Sequence, residues 1–437
     1  MKNNSLCGKP EREAKSKMKE MKLTLEFVNI QDIQFGEVTQ VKNHLLEINK
    51  EELIQYLQDE RFKSIDIELA RPGESIRIIP VKDVIEPRIK CDEEGNAFPG
   101  FLGDCEGTGE GVTKVLKGVG VVTTGKIVGF QEGIIDMTGP ASEVCYYSSL
   151  NNVVIVAEKR ENLSAVEHET AIRLAGIKAA KYLASCAVKV KADKIEDYKL
   201  DKVDKPLPKV AVLFLAMAQG LLHDNYVYGV DAKKLHTTLL HPNELMDGAL
   251  VSGNCVVASN KYTTYDHQNN PLVKELYKRH GKDLEFKGII FTPSCPGLAD
   301  KKRCCTGAIN IAKLLDLDGL LLPEECGGNP EADLMMLCRN AEKSGIRTVM
   351  IVGAIGEEEA ITDSTPEADA VINVGSRIEK MHLPKMNKVI GHEEQIKILA
   401  GGSAESILPD GSLCVTVSSI MSMHNGMGMT KLTSKVY

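Results

Sequence analysis

Gly253, Asn254 and Cys255 follow one another in LVSGNCVVASNKYTTYDHQNN, residues 250–270. Gly253 allows a positive φ and a close backbone approach, so the Asn254 carbonyl can be presented in a strained geometry. A thiol becomes a potent nucleophile once a neighbour lowers its pKa, and His223, His241 and His267 lie close in sequence. Thr263, Thr264, Asn269 and Asn270 offer small polar donors to an oxyanion. Two outcomes stay open. Cys255 could remain intact and attack an external acyl group. Alternatively, its sulfur could attack the Asn254 carbonyl, moving the acyl group from nitrogen to sulfur. β-Elimination of that thioester leaves dehydroalanine, and tautomerisation and hydrolysis give a pyruvoyl group. Such a ketone is an electron sink that condenses with amines. His267 is the first candidate to take the thiol proton and later protonate the departing amide nitrogen, and His223 the second. Spacing alone does not choose between the outcomes.

The chain has 437 residues, enough for two or three domains, with 43% apolar and 26% charged residues, as in ordinary soluble proteins. A formal charge of −8 argues against general nucleic-acid binding, which needs basic surface. No apolar run reaches membrane-spanning length, and the start has no signal-peptide core, so a cytosolic protein is expected. The twelve cysteines form no CxxC pair or zinc-spaced Cys/His cluster, and reduced, mostly buried thiols are expected. HEEQ at His392 has no second histidine at helical spacing, and GTGEGVTK lacks the GxxxxGK[ST] order. Neither a metal nor a nucleotide is predicted.

These residues need a scaffold. Residues 1–22 are charged and aperiodic, and a flexible extension is expected there. Over 23–191 the runs LTLEFVNI, SIDIEL, SIRIIPV, VGVVTT and NVVIVAE predict a strand-rich domain. Asp92 to Gly118 reads as a loop. Ser164 and Glu167 form a capping box before a long helix with Ile172, Ala175, Ala179, Leu183 and Cys186 on one face. His168, in its first turn, is expected at the surface. The polar, proline-bearing stretch 192–209 reads as a linker. Beyond it, over 210–437, short apolar strands (VAVLFLA, GIIFT, GLLLP, TVMIVG, AVINVG) alternate with helical patterns. That is the signature of a doubly wound, mainly parallel α/β region. Ligands in such sheets bind beyond the strand C-termini, which makes the loop after VAVLFLA, with His223 and Asp224, a plausible site wall.

The stretches DIQFGEVTQV, IELARPGESIRIIPVKDVIEPR, TTGKIVGFQEGIIDMTGP, QGLLHDNYVYGVDAK, MDGALVSGNC, TTYDHQNNP and LYKRHGKD resemble the component B proprotein of the glycine, sarcosine and betaine reductases. The likeness runs from about Leu23 to the C-terminus and is most specific before Asp300. It implies a precursor that splits after Asn254, with Cys255 becoming the pyruvoyl cofactor. It further implies that the substrate amine condenses with that carbonyl as a Schiff base. A selenolate of a separate component B selenoprotein subunit would then displace the amine. The carboxymethyl group would pass to selenoprotein A and leave through component C as acetyl phosphate. Arg71 and Lys261 are candidates to hold the substrate carboxylate. His280, His382, His392 and His424 are expected to be surface or structural residues. The methionines of MSMHNGMGM could be core or could wall a soft amine cage. Two further readings stand beside this one: an uncleaved cysteine-nucleophile enzyme, and a non-catalytic scaffold that docks the selenoprotein partner.

Overall fold

The computed structural model describes residues 21–91, 96–220, 222, 225–253, 256–353, 365–375, 378–432 and 435–436. Among them the chain is mixed α/β, and three sheets carry most of it.

All five apolar runs expected in the first region are strands. Four of them, Phe62–Ala70, Ile76–Ile85, Val119–Thr124 and Asn151–Lys159, build one sheet with Gly133–Asp136. Lys388–Gly391, from far down the chain, joins this sheet parallel to Ile76–Ile85. The fifth run, Lys22–Asn29, pairs with Gly111–Lys117 in a second sheet. Gly111–Lys117 lies inside the stretch read as a loop. Its alternation is masked in sequence by Lys114, which is buried by an ion pair with Glu26. Within the expected linker, Lys194–Lys199 forms an edge strand against Lys22–Asn29. Charged side chains on an edge strand face water, so the segment is as polar as a linker.

The Ser164 capping box is present and opens the helix Ala165–Ser185, which buries Ile172, Ala175, Ala179 and Leu183. His168 corrects the surface expectation. It is buried, and its Nε2 lies 3.3 Å from the Ala157 carbonyl oxygen. The same helix carries Glu169 and Arg173 into the interior as an ion pair.

The third sheet has seven strands. Its centre runs Glu285–Ser294, Lys209–Met217, Gly319–Pro323, Arg347–Val352 and Ala370–Asn373, all parallel. Antiparallel strands Thr238–Leu240 and Lys435–Val436 close its edges. Leu298–Leu314 and Glu331–Glu342 cover one face through Cys305, Ala308, Leu334 and Leu337. Phe214, Phe291, Tyr262 and Val273 fill the other, with Leu25 and Val115 of the second sheet. The parallel strands are therefore apolar on both faces, which is why they read as unbroken hydrophobic runs.

Met421, Met423 and Met429 are buried with Ile78, Ile134 and Val154 of the first sheet, and Met427 joins the core beneath the third. These methionines are core residues. The C-terminal segment thus reaches back across both regions.

Candidate active site

The approach to the junction is buried: Leu250–Val251 is a short strand, and Ser252 and Gly253 follow it into the interior. Asn254, Cys255 and His223 lie outside the described residues. Val256 is buried on the far side, and Ala258–Asn260 makes one tight helical turn.

Thr264 fixes the upstream flank. Its hydroxyl accepts the Ser252 N–H at 3.0 Å and donates to Asp83 Oδ2 at 2.6 Å, while its own N–H donates to Asp83 Oδ1 at 2.9 Å. It opens the short helix Thr264–Asn269, capped reciprocally by Thr263 and Asp266. Every residue of that helix is buried.

Lys261 is fully buried. Its Nζ donates to the Lys82 carbonyl oxygen at 3.1 Å and to the Gln131 carbonyl oxygen at 2.9 Å. Desolvation, with the nearby Lys82 cation, pulls Lys261 down to about 8, against the opposing carboxylates of Glu132, Asp83 and Glu325. Burial raises the Asp83 carboxyl, and raises Glu325 to about 7. Glu325 Oε2 accepts the Met217 N–H at 3.0 Å and the Asn225 amide at 2.6 Å. Lys82 pairs with Glu169 at 3.1 Å, and Arg173, also paired with Glu169, stacks over the Tyr226 ring. The result is a buried group of ionisable side chains in which Lys261 is pulled down to about 8 and Glu325 pushed up to about 7, shifts of the kind that cluster where protons or charge move.

Asp266 anchors the other side. It accepts from Tyr147 Oη at 2.7 Å and from Asn425 Nδ2 at 2.8 Å, and burial lifts it to about 7. Ser422 donates to the Lys261 carbonyl oxygen at 2.7 Å, and the His424 N–H to that of Ser259 at 2.8 Å. The loop 421–429 is thereby laid directly over the segment that follows the junction. Gly426 is required there, because a Cβ would stand 2.3 Å from Tyr262 Oη.

His267 sits in the last turn of the short helix with its ring against Phe214 and Tyr262. Neither ring nitrogen has a hydrogen-bond partner among the described residues. Burial pushes it down to about 3, so it is neutral at physiological pH. Arg71 lies in an exposed turn, where it pairs with Glu74 and Asp32, and among the described residues no hydrogen bond or ion pair joins it to the Lys261 group.

Gly253, Lys261 and His267 are thus buried on connected elements. Sequence reasoning missed Lys82, Asp83, Glu325 and Asp266. Two signals were available. A Lys-Asp pair interrupts the apolar run of IRIIPVKDVI, where an uncompensated charge would be costly. Glu324-Glu325 follows GLLLP directly, at the C-terminal end of a parallel strand.

Among the described residues no helix is long and apolar enough to cross a membrane. Comparison with known proteins agrees with the sequence resemblance. Residues 21–435 match the family of glycine/sarcosine/betaine reductase component B subunits. The chain is 46% identical over 430 residues to the glycine reductase complex component B subunits alpha and beta of Acetoanaerobium sticklandii, covering 95% of this chain and 100% of that one. It is 44% identical to the sarcosine reductase complex component B subunit alpha of Peptoclostridium acidaminophilum, and 34% identical to the betaine counterpart there, with the same coverage. No solved structure matches. With nearly the whole chain aligned, this protein belongs to the glycine/sarcosine/betaine reductase component B family.

Proposed function

We propose that this chain is the precursor of the substrate-activating part of a component B reductase, and that it breaks its own Asn254–Cys255 bond to make a pyruvoyl group. The observation that carries this reading is the sealed Lys261–Asp83–Glu325 group, tied through Thr264 to Ser252, two residues before the junction. A self-acting peptide bond needs its flanks held still and water kept out. The buried flanks and the Thr264 clamp supply that support.

In this reading the Cys255 thiol attacks the Asn254 carbonyl. His267, neutral at physiological pH, accepts a hydrogen bond from that thiol through a ring nitrogen with no partner among the described residues, and orients it. His223 is the candidate to take the proton. The carbonyl formed at position 255 would be a covalent electron sink for an amine nitrogen. Lys261 supplies the positive charge that a substrate carboxylate needs. Lys82, through its pair with Glu169, keeps a second cation close to Lys261. The names of the relatives point to a reductase of glycine or a methylated glycine, and the reaction proposed here is reductive cleavage of the C–N bond. The attacking selenolate would come from a selenoprotein partner, with selenoprotein A and component C completing the path to acetyl phosphate.

The test is denaturing electrophoresis with mass analysis. The unaltered chain should give two fragments that meet at 254/255, the smaller one blocked at its N-terminus and reactive with hydroxylamine. Cys255→Ala should stay full length, and His267→Asn should split about a hundredfold more slowly. An active, unbroken chain with the Cys255 thiol intact would replace this reading with that of an uncleaved thiol enzyme.

A further inference from the structure

A second cluster of chemically able groups lies outside the junction. Cys295 follows the strand Glu285–Ser294 directly, and the helix Leu298–Leu314 carries Cys304 back beside it. Both cysteines line a cleft of about 410 Å³ at the C-terminal edge of the parallel sheet. The cleft is also lined by Lys233, Lys234, His236 and Arg303, with Asp300 as its one carboxylate among the described residues. The two thiols interact. Cys295 lowers the Cys304 pKa and is itself raised by Cys304, so on first ionisation the pair shares one proton. Other thiols are unlike them: burial raises Cys145 and Cys186 to about 11, and Cys305 and Cys326 to about 12. Both cysteines are free, Cys295 half-buried and Cys304 buried in the cleft wall. The Cys304 backbone is held by Thr237, whose hydroxyl donates to its carbonyl oxygen at 2.8 Å.

Two facing thiols in a cleft with a cationic rim match the requirements of thiol–disulfide exchange, in which a thiolate must be formed and a second sulfur must stand ready to resolve the intermediate. We propose that Cys295 and Cys304 are a redox-active dithiol that reduces a small anionic disulfide entering this cleft. The Cys295 S–H holds the Cys304 thiolate. The Cys304 sulfur attacks one disulfide sulfur and expels a thiolate. Cys295 then passes its proton to that thiolate, attacks the Cys304 sulfur, closes the intrachain disulfide and expels the second thiolate. Two protein thiols are oxidised and one disulfide is reduced to two thiols. The lysines and Arg303 attract the carboxylates of the incoming molecule.

The fully reduced chain, treated with oxidised glutathione under native conditions and mapped by peptide mass analysis, tests this. A Cys295–Cys304 linkage should form on the order of tenfold faster than glutathione adds to the exposed Cys105. Cys295→Ser should trap glutathione on Cys304. The proposal is overturned if Cys105 reacts first while the pair stays reduced, or if the unaltered chain ends with stable glutathione on Cys304. Neither readout depends on scission at residue 254.

Discussion

Glu325 and Lys261 face one another in the same desolvated space, and their titrations bend in opposite directions. Glu325 keeps its proton to about pH 7 when folded, against an ordinary value of 4.5. Between those values the folded state binds a proton that the unfolded chain has released, so this group's contribution to stability falls as pH rises. Lys261 titrates near 8 instead of 10.5, so its contribution is recovered as pH rises through that second window. Glu325→Gln should therefore flatten the decline in unfolding free energy from about pH 4.5 to about 7. Urea melts across that range check it; an unchanged slope would mean that Glu325 is not its source. These residues were legible only in part. Lys261 could be named because it follows the junction, but its burial among three carboxylates comes from elements distant in sequence.

The Thr264–Asn269 helix is less than two turns long and would not form alone. It is kept by its caps and by burial, and in return it positions Thr264, Asp266 and His267. Thr264→Val keeps the shape but leaves Asp83 without the hydroxyl and Ser252 without an acceptor. The cost should be about 1–3 kcal/mol, since buried polar groups would lose partners. Junction scission should slow as well, while Thr264→Ser should restore both. Denaturant midpoints and a timed gel separate these effects; normal scission in the valine variant would show that the clamp is dispensable. The sequence expectation for this stretch is a set of small polar donors to an oxyanion, with no element assigned; in the structure Thr264 bonds Asp83 and Asn269 bonds Glu86. Its polar composition conceals the helix because its side chains bond inside the protein rather than to water.

Across the whole molecule, the two sides of the junction are interwoven. Lys209–Met217, upstream, is a central strand of a sheet otherwise made mostly downstream. Lys388–Gly391, downstream, is hydrogen-bonded to Ile76–Ile85, and Met421 and Met423 lie in the same core. One core cluster, beneath the helix Ala165–Ser185, is wholly upstream, but the other three combine residues from both sides. After scission the two should co-elute on native size exclusion and separate only in denaturant, as obligate partners do. Two independent native peaks would contradict this packing. The site has the same dual origin: Asp83 and Asn225 come from upstream, and Lys261, Thr264 and Glu325 from downstream.

The strands, the Ser164-capped helix and the parallel run of the second region follow from local periodicity and capping, which nearest neighbours along the chain decide. The triplet Gly253-Asn254-Cys255 and the family likeness are sequence properties too. Only the tertiary structure brought Lys82, Asp83 and Glu325 to Lys261, turned His168 inward, and made Gly111–Lys117 a buried strand. Each of these is a charged or polar group whose burial is tolerable only beside a partner from a distant segment. Such partnerships leave no period in the sequence.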